Sequence, residues 1–396
     1  MSEILTLKNI NLKKIISVKN PELVTRKDNK AQWNLPNKRR LGFRNLYKIN
    51  RYGIYLRSDF VLKLKKKINK RIGKLSSVKK VTKNKAFCSL IVGKNQDILF
   101  EQYAKDFSTN QPQTIMSITK MFIHLFVGEL IDRKLINLNK KISFYLPKIG
   151  SGYANAKVKD VLDMNIVNLY SEDYTKAYSS SFLHEPVGGW RLPIKGKNIQ
   201  SQEQYLNSIK SLKSRDLKNY TDLAHYKSAN TDVIGLIVEK VSKKSLRQWL
   251  LETVEATGFE EGLYIGTDRF GTPWMSGGGS LITRDFLRMG LLFSRFGKGI
   301  NGKNIGSKTF LSKTINSDGP KYIQLSKDKF VCYVNSLMKC GNWIGHSGYG
   351  GQFLGINLKT KVVAAFFSVL ETKSATNEKY KKDMVNMIDQ VISKDY

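Results

Sequence analysis

Ser117 and Lys120 stand three residues apart in "TIMSITKMFIHLFVGELIDRKL", residues 114 to 135, just as an apolar helical pattern begins. Residues three apart share a helix face, so the lysine amine can reach the serine hydroxyl. Burial disfavours an ammonium ion and leaves a free amine able to take a proton. The helix N-terminus offers free N–H groups and a positive dipole end to an oxyanion. The competing reading is a capping serine followed by a lysine that snorkels to solvent. Ser-x-x-Lys also begins at Ser76, Ser77, Ser326 and Ser336. Only Ser117 opens a long apolar helix, with Met121, Phe122, Leu125, Phe126 and Leu130 recurring at three- and four-residue steps.

Two further stretches carry polar groups of the same kind. In "HYKSANTDVIG", Tyr226 and Ser228 precede a helix that Ser228 or Asn230 can cap. A tyrosine held against a lysine ammonium is expected to ionise more easily and to relay a proton to a leaving group. The bland alternative for Tyr226 is a half-buried aromatic. In "GHSGYGGQF", residues 345 to 353, glycines 348, 350 and 351 permit close backbone approach along an edge. His346 there offers a hydrogen-bond donor or a partial positive charge. An ordinary histidine in a glycine-rich turn is the alternative.

These groups need a scaffold. "AFCSLIVG" and "DILFEQYA" read as strands of a hairpin around "KNQ". Residues 151 to 275 read as mostly helical: "VKDVLDM", "SQEQYLNSIKSLK", and one strong helix over "NTDVIGLIVEKVSKKSLRQWLLETV". After "SGGGS" comes the helix "LITRDFLRMGLLFSRFG", then strands "KFVCYVNSLM", "QFLGINL" and "KVVAAFFSVL" and a closing helix "EKYKKDMVNMIDQVI". Strands early and late with helices between imply an α+β fold, an antiparallel sheet drawn from both chain ends with an inserted helical subdomain. Residues 1–45 read as a basic lead segment and 46–396 as the main domain. Within it the α/β part covers about 85–150 and 276–396, and the helical subdomain about 151–275. "YGIYLRSDFVLKLKKKI" mixes strand and helix character.

The 396 residues hold no apolar run of roughly 18, so no membrane span is expected. The start has no uninterrupted apolar stretch of roughly 7–15 residues, so it does not read as a signal peptide and the expected location is cytoplasmic. Cys88, Cys332 and Cys340, an odd count at no metal spacing, read as core thiols of a reducing compartment. The histidines His124, His184, His225 and His346 are scattered, so no metal and no cofactor are expected. The formal charge is +35, and about 25 of the lysines and arginines, against about 4 acids, lie in the first 86 positions. Runs such as "KLKKKINKRIGK" (63–74) could hold phosphate or an anionic surface by counterion release. No nucleic-acid-binding motif accompanies them, and an abundance of Lys, Asn and Ile explains them as solvated charges.

Ser117-Ile-Thr-Lys120, Tyr226-Lys-Ser228 and His346-Ser-Gly348 occur in the order and at the approximate separations of the serine β-lactamase and penicillin-binding-protein superfamily. The chain resembles its class C-like branch, which includes the 6-aminohexanoate-dimer (nylon oligomer) hydrolases and related esterases. "WNLPNKRRLGFRNL", "SEDYTKAYSSSFLHEPVGGWR", "SANTDVIGLIVEKV" and "MSGGGSLITRDFLRMGLLF" extend the likeness over about residues 33 to 396. The resemblance implies Ser117 as acylated nucleophile, Lys120 as base and Tyr226 as proton relay. It implies an oxyanion hole at the N–H groups of Ser117 and Tyr349, beside Gly348. It further implies Tyr174 as a tyrosine closing over the substrate, and Glu185 at a position where an acid meets the substrate's amino end.

The sequence departs from that pattern at three places. His346 replaces a lysine, so the cation that holds a β-lactam carboxylate is missing and strong β-lactamase activity is not expected. Ser228 replaces an asparagine that grips the acyl side chain. Glu185 is one methylene longer than the aspartate of the nylon-dimer enzymes. The leading expectation is a serine hydrolase acting on a small ester or amide. The alternatives are a catalytically idle member that binds a ligand or partner, and a basic protein whose N-terminal segment binds nucleic acid or anionic lipid.

Overall fold

The computed structural model describes residues 34–174, 176, 178–193, 198–213 and 216–396. Most of the basic lead segment therefore lies outside the described residues. The described strands are β1 (Gly53–Leu56), β2 (Lys65–Lys66), β3 (Phe87–Lys94), β4 (Asp97–Tyr103), β5 (Gln113–Thr114), β6 (Leu263–Gly266) and β7 (Gly279–Leu281). They continue with β8 (Lys321–Ser326), β9 (Lys329–Val334), β10 (Leu337–Cys340), β11 (Trp343–Gly348), β12 (Gln352–Asn357) and β13 (Val362–Ser368).

The large sheet has the order β2-β4-β3-β13-β12-β11-β10-β9-β8, and apart from the two-residue β2 it is antiparallel. Its middle strands read as unbroken apolar runs because both faces are covered: every residue of β13 is buried. The helix Thr283–Ser294 packs on one face, where Phe286 stacks on Phe367 with centroids 4.7 Å apart. The helix Glu378–Ile392 covers the other face through Met384, Val385, Ile388 and Val391. The fold is α+β, as expected.

Local chemistry sets the turns. Asn95, at φ 58°, begins the two-residue link between β3 and β4, where Lys94 pairs with Asp97. Asn335 and Ser336, both at positive φ, split the expected strand "KFVCYVNSLM" into β9 and β10. The long helix expected in the middle is two, Ser228–Ser242 and Leu246–Thr257. The break falls at Lys243, which is left-handed at φ 53°, and the second helix restarts on Ser245, whose hydroxyl accepts from Gln248 N.

A small second sheet, β1-β6-β7-β5, was not foreseen. It ties residues 53–56 and 113–114 to 263–266 and 279–281, so β6 interrupts the span read as helical. The ambiguous stretch supplies β1 and β2. Lys65 and Lys66 are exposed on β2, at the edge of the large sheet, where lysines discourage further strand pairing. At the described end of the lead segment, Arg39–Arg44 forms a short helix, and the buried Arg39 donates to the carbonyls of Leu370 and Thr372. No helix among the described residues is long and apolar enough to cross a membrane.

Candidate active site

Ser117 does not sit on the long helix itself. It lies in a 3₁₀ turn, Met116–Lys120, that runs into the helix Met121–Asp132. Met116, just before it, holds the left-handed φ of 49°, which for a side-chain-bearing residue costs on the order of 1–3 kcal/mol. Two threonines lock the turn against β7. Thr114 Oγ1 accepts from Met116 N and donates to Gly279 O, both at 3.1 Å. Thr119 Oγ1 donates to Met116 O at 2.7 Å and accepts from Gly279 N at 3.1 Å.

Lys120 is fully buried. Its nitrogen lies 3.1 Å from Ser117 Oγ, 3.2 Å from Ser228 Oγ and against the Ser276 carbonyl, so the ammonium donates to all three and the free amine can turn its lone pair to the Ser117 hydroxyl. Burial brings its pKa down to about 8, while the charges of Glu172 and Asp232 work in the opposite direction. Asp232 is buried one helical turn beyond Ser228, and its Oδ1 accepts from Ser276 N at 3.0 Å. The backbone of Ser276 thus links the lysine to a buried carboxylate, whose own pKa burial pushes up.

Tyr226 presents its ring to the lysine, with Lys120 Nζ 5.0 Å from the ring centroid. The expectation that the tyrosine would ionise more easily is corrected. Burial, then Tyr333 and Tyr322, hold its pKa well above the ordinary range, so the hydroxyl keeps its proton. The capping expectation also changes. Ser228 is the first residue of its helix, and its N–H is satisfied by Glu172 Oε2 at 2.8 Å. Asn230 instead accepts from the Tyr153 hydroxyl at 2.9 Å.

Glu172, which the sequence reading passed over, is the hub of this corner. It accepts from Ser228 Oγ at 2.5 Å and from the Tyr174 hydroxyl. Its one signal was its place two residues before Tyr174. Tyr174 also lies 3.4 Å from Ser228 Oγ and packs on Tyr349 with centroids 5.6 Å apart.

His346 stands on β11 but faces away from open space. Its Nε2 meets the Tyr333 hydroxyl at 3.0 Å and its Nδ1 the Ser347 carbonyl at 2.7 Å. Burial, helped by the Lys120 charge, lowers its pKa to about 3, so the ring is neutral. It supports Tyr226, whose ring centroid is 6.3 Å away, and it does not line either cavity beside Ser117. Gly348 makes the close approach that its type suggested: a Cβ there would lie 2.7 Å from the Ile115 carbonyl oxygen. Gly350 and Gly351 take φ values of 87° and 109° against Phe43 and Ser368. Glu185 lines a cavity wall, with Arg191 Nε 3.2 Å from its Oε2.

Two cavities open on Ser117. The smaller, about 80 Å3, is walled by Trp190, Trp274, Tyr170, Glu185 and Ser276. The larger, about 350 Å3, runs past Glu172, Tyr226, Tyr322 and Gly348 to Lys381. Tyr174 and Tyr349 border both. Ser117 therefore stands at the junction of two spaces, with the buried Lys120 amine 3.1 Å behind its hydroxyl and the protonated Tyr226 phenol on the wall of the larger space, an arrangement that could seat the two halves of a cleavable molecule.

A family model described as Beta-lactamase matches residues 88–383. The 6-aminohexanoate-dimer hydrolase of Paenarthrobacter ureafaciens is 30% identical over 207 residues, which is 51% of this chain and 50% of that protein. The chain thus aligns over about half the length of that relative. Among solved structures, a Bacillus anthracis protein provisionally named a 6-aminohexanoate-dimer hydrolase superposes with a TM-score of 0.75 at 19% identity, covering 95% of this chain and 98% of its own. A penicillin-binding protein of Bacillus halodurans gives 0.54 at 12% identity, covering 79% and 99%. At these identities the two structures speak for the fold.

Proposed function

The chain belongs to the beta-lactamase family, and on that premise we propose that it is a serine hydrolase cleaving a small ester or amide through an acyl-enzyme on Ser117. The observation that carries this reading is the buried Lys120 amine 3.1 Å from the Ser117 hydroxyl. Free lysine accepts the hydroxyl proton as Ser117 Oγ attacks the carbonyl carbon. The tetrahedral oxyanion rests on the N–H groups of Ser117 and Tyr349, a contribution of about 3–4 kcal/mol per donor. Tyr226 gives its proton to the departing nitrogen or oxygen and regains one from the Lys120 ammonium. The carbon–heteroatom bond breaks and leaves the acyl group on Ser117. Water then attacks the acyl carbon, passes a proton back through the same pair and frees the acid. With His346 neutral, no permanent cation stands at its position for a β-lactam carboxylate.

The test is labelling by a fluorophosphonate probe beside hydrolysis of p-nitrophenyl esters, nitrocefin and linear amide oligomers. Wild type is expected to label and turn over, Ser117→Ala to do neither, and Lys120→Ala to lose about 10³-fold in turnover. Undiminished labelling of Ser117→Ala refutes the assignment.

A further inference from the structure

The larger cavity ends at a cation that the hydrolytic steps do not use. Lys381 sits half-buried on the first turn of the helix Glu378–Ile392 and lines that cavity with Tyr322, Asn377 and Met384. Among the described residues its amine makes no hydrogen bond and no ion pair, and its contact is the face of Tyr322, 5.1 Å from the centroid. Tyr322 in turn stacks on Tyr226 at 5.5 Å, and Tyr226 carries Lys120 over its ring at 5.0 Å. Two stacked tyrosines thus lead from the base to a second lysine. Burial works against the Lys381 charge, and the one carboxylate set against that effect is Glu378, beyond ion-pair distance on the same helix. The acids on the cavity wall are Glu172, bonded to Ser228 and Tyr174, and its neighbour Asp173.

We propose that Lys381 binds a carboxylate on the departing half of the substrate. The departing half is placed here because Tyr226, which returns the proton to the leaving atom, lines this cavity and not the smaller one. The smaller space, walled by Trp190 and Trp274, then takes a compact acyl group. A lone ammonium at the end of an aromatic wall suits a monoanion; a doubly charged phosphate is better matched by the paired donors of arginine. The substrate class is a short acyl ester or amide of a carboxylate-bearing alcohol, phenol or amine. This inference rests on the hydrolase reading and narrows its substrate.

The experiment compares 4-acetoxybenzoate with its methyl ester, which share acyl group and scissile bond. Wild type is expected to favour the carboxylate by about tenfold in kcat/KM, the size of one charge-assisted contact. Lys381→Gln is expected to lose that preference while still hydrolysing the methyl ester, and Lys381→Arg to retain it. Equal rates in wild type, or a preference that survives Lys381→Gln, overturn the inference and leave the hydrolase reading intact. Calorimetry on Ser117→Ala, with and without Lys381→Gln, separates the remaining cases. Lys381-dependent binding of the carboxylate without turnover in wild type upholds the anion site and removes the hydrolase. Neither turnover nor Lys381-dependent binding removes both.

Discussion

Glu172 holds Ser228 at two points, from the backbone N–H at 2.8 Å and from the hydroxyl at 2.5 Å. One carboxylate therefore caps the helix Ser228–Ser242, fixes a hydroxyl that accepts from Lys120, and anchors Tyr174, which with Ser117 lines both cavities. Its charge also opposes the burial that depresses the Lys120 pKa.

That arrangement sets a pH dependence. As the proposed base, Lys120 would act as a free amine, so kcat/KM is expected to rise with pH through its depressed pKa. Glu172→Gln removes a charge that raises this pKa, so the rising limb moves to lower pH. The variant also offers an amide where Tyr174 and Ser228 both donate, so kcat/KM at its own optimum falls about tenfold. Asp232→Asn, which borders neither cavity, moves the limb the same way with KM unchanged. A pH–rate profile of the three proteins checks this; an unmoved limb in both variants would mean that Lys120 is not the titrating base.

Acid is expected to destabilise the fold through its buried histidines. Burial lowers the pKa to about 4 for His124 and to about 3 for His184 and His346. The unfolded chain binds these protons near the ordinary value of about 6.5, so below it the unfolded state holds more protons than the folded one. Stability from these groups is complete above that value and is lost as pH falls from it toward the folded values. Each imidazole costs up to about 2 kcal/mol at pH 5 relative to pH 7.5. Denaturant midpoints at the two values test the loss, and His124→Asn is expected to flatten the dependence.

Gly348→Ala would drive a methyl group toward the Ile115 carbonyl, a backbone atom that cannot swing aside. Separating β11 from the turn that carries Ser117 is expected to cost about 1–3 kcal/mol and to lower turnover more than binding. Thermal unfolding and steady-state kinetics together read this. A variant with unchanged kcat would show that the strand end does not set the position of Ser117.

Much of the scaffold was legible as pattern. Continuous apolar runs marked β3 and β13, and "KNQ" marked the turn after β3, because local backbone preference and burial agree there. The division between β9 and β10 was missed because a two-residue turn with both φ positive needed no glycine, only Asn335 and Ser336. The four-stranded sheet was missed because its short strands come from distant segments and carry almost no periodicity of their own.

By itself the sequence determined which groups exist, a serine three residues before a lysine, a later tyrosine and a glycine-flanked histidine, and the order in which they occur. Tertiary structure decided what each one faces. It joined Glu172 to Ser228 and Tyr174, set Asp232 behind Lys120, turned His346 toward Tyr333, and aligned Lys381 with the stacked tyrosines. Charge and hydrogen bonding act over a few ångströms, and separations such as the 108 residues between Lys120 and Ser228 become short only when the sheet and helices close around them.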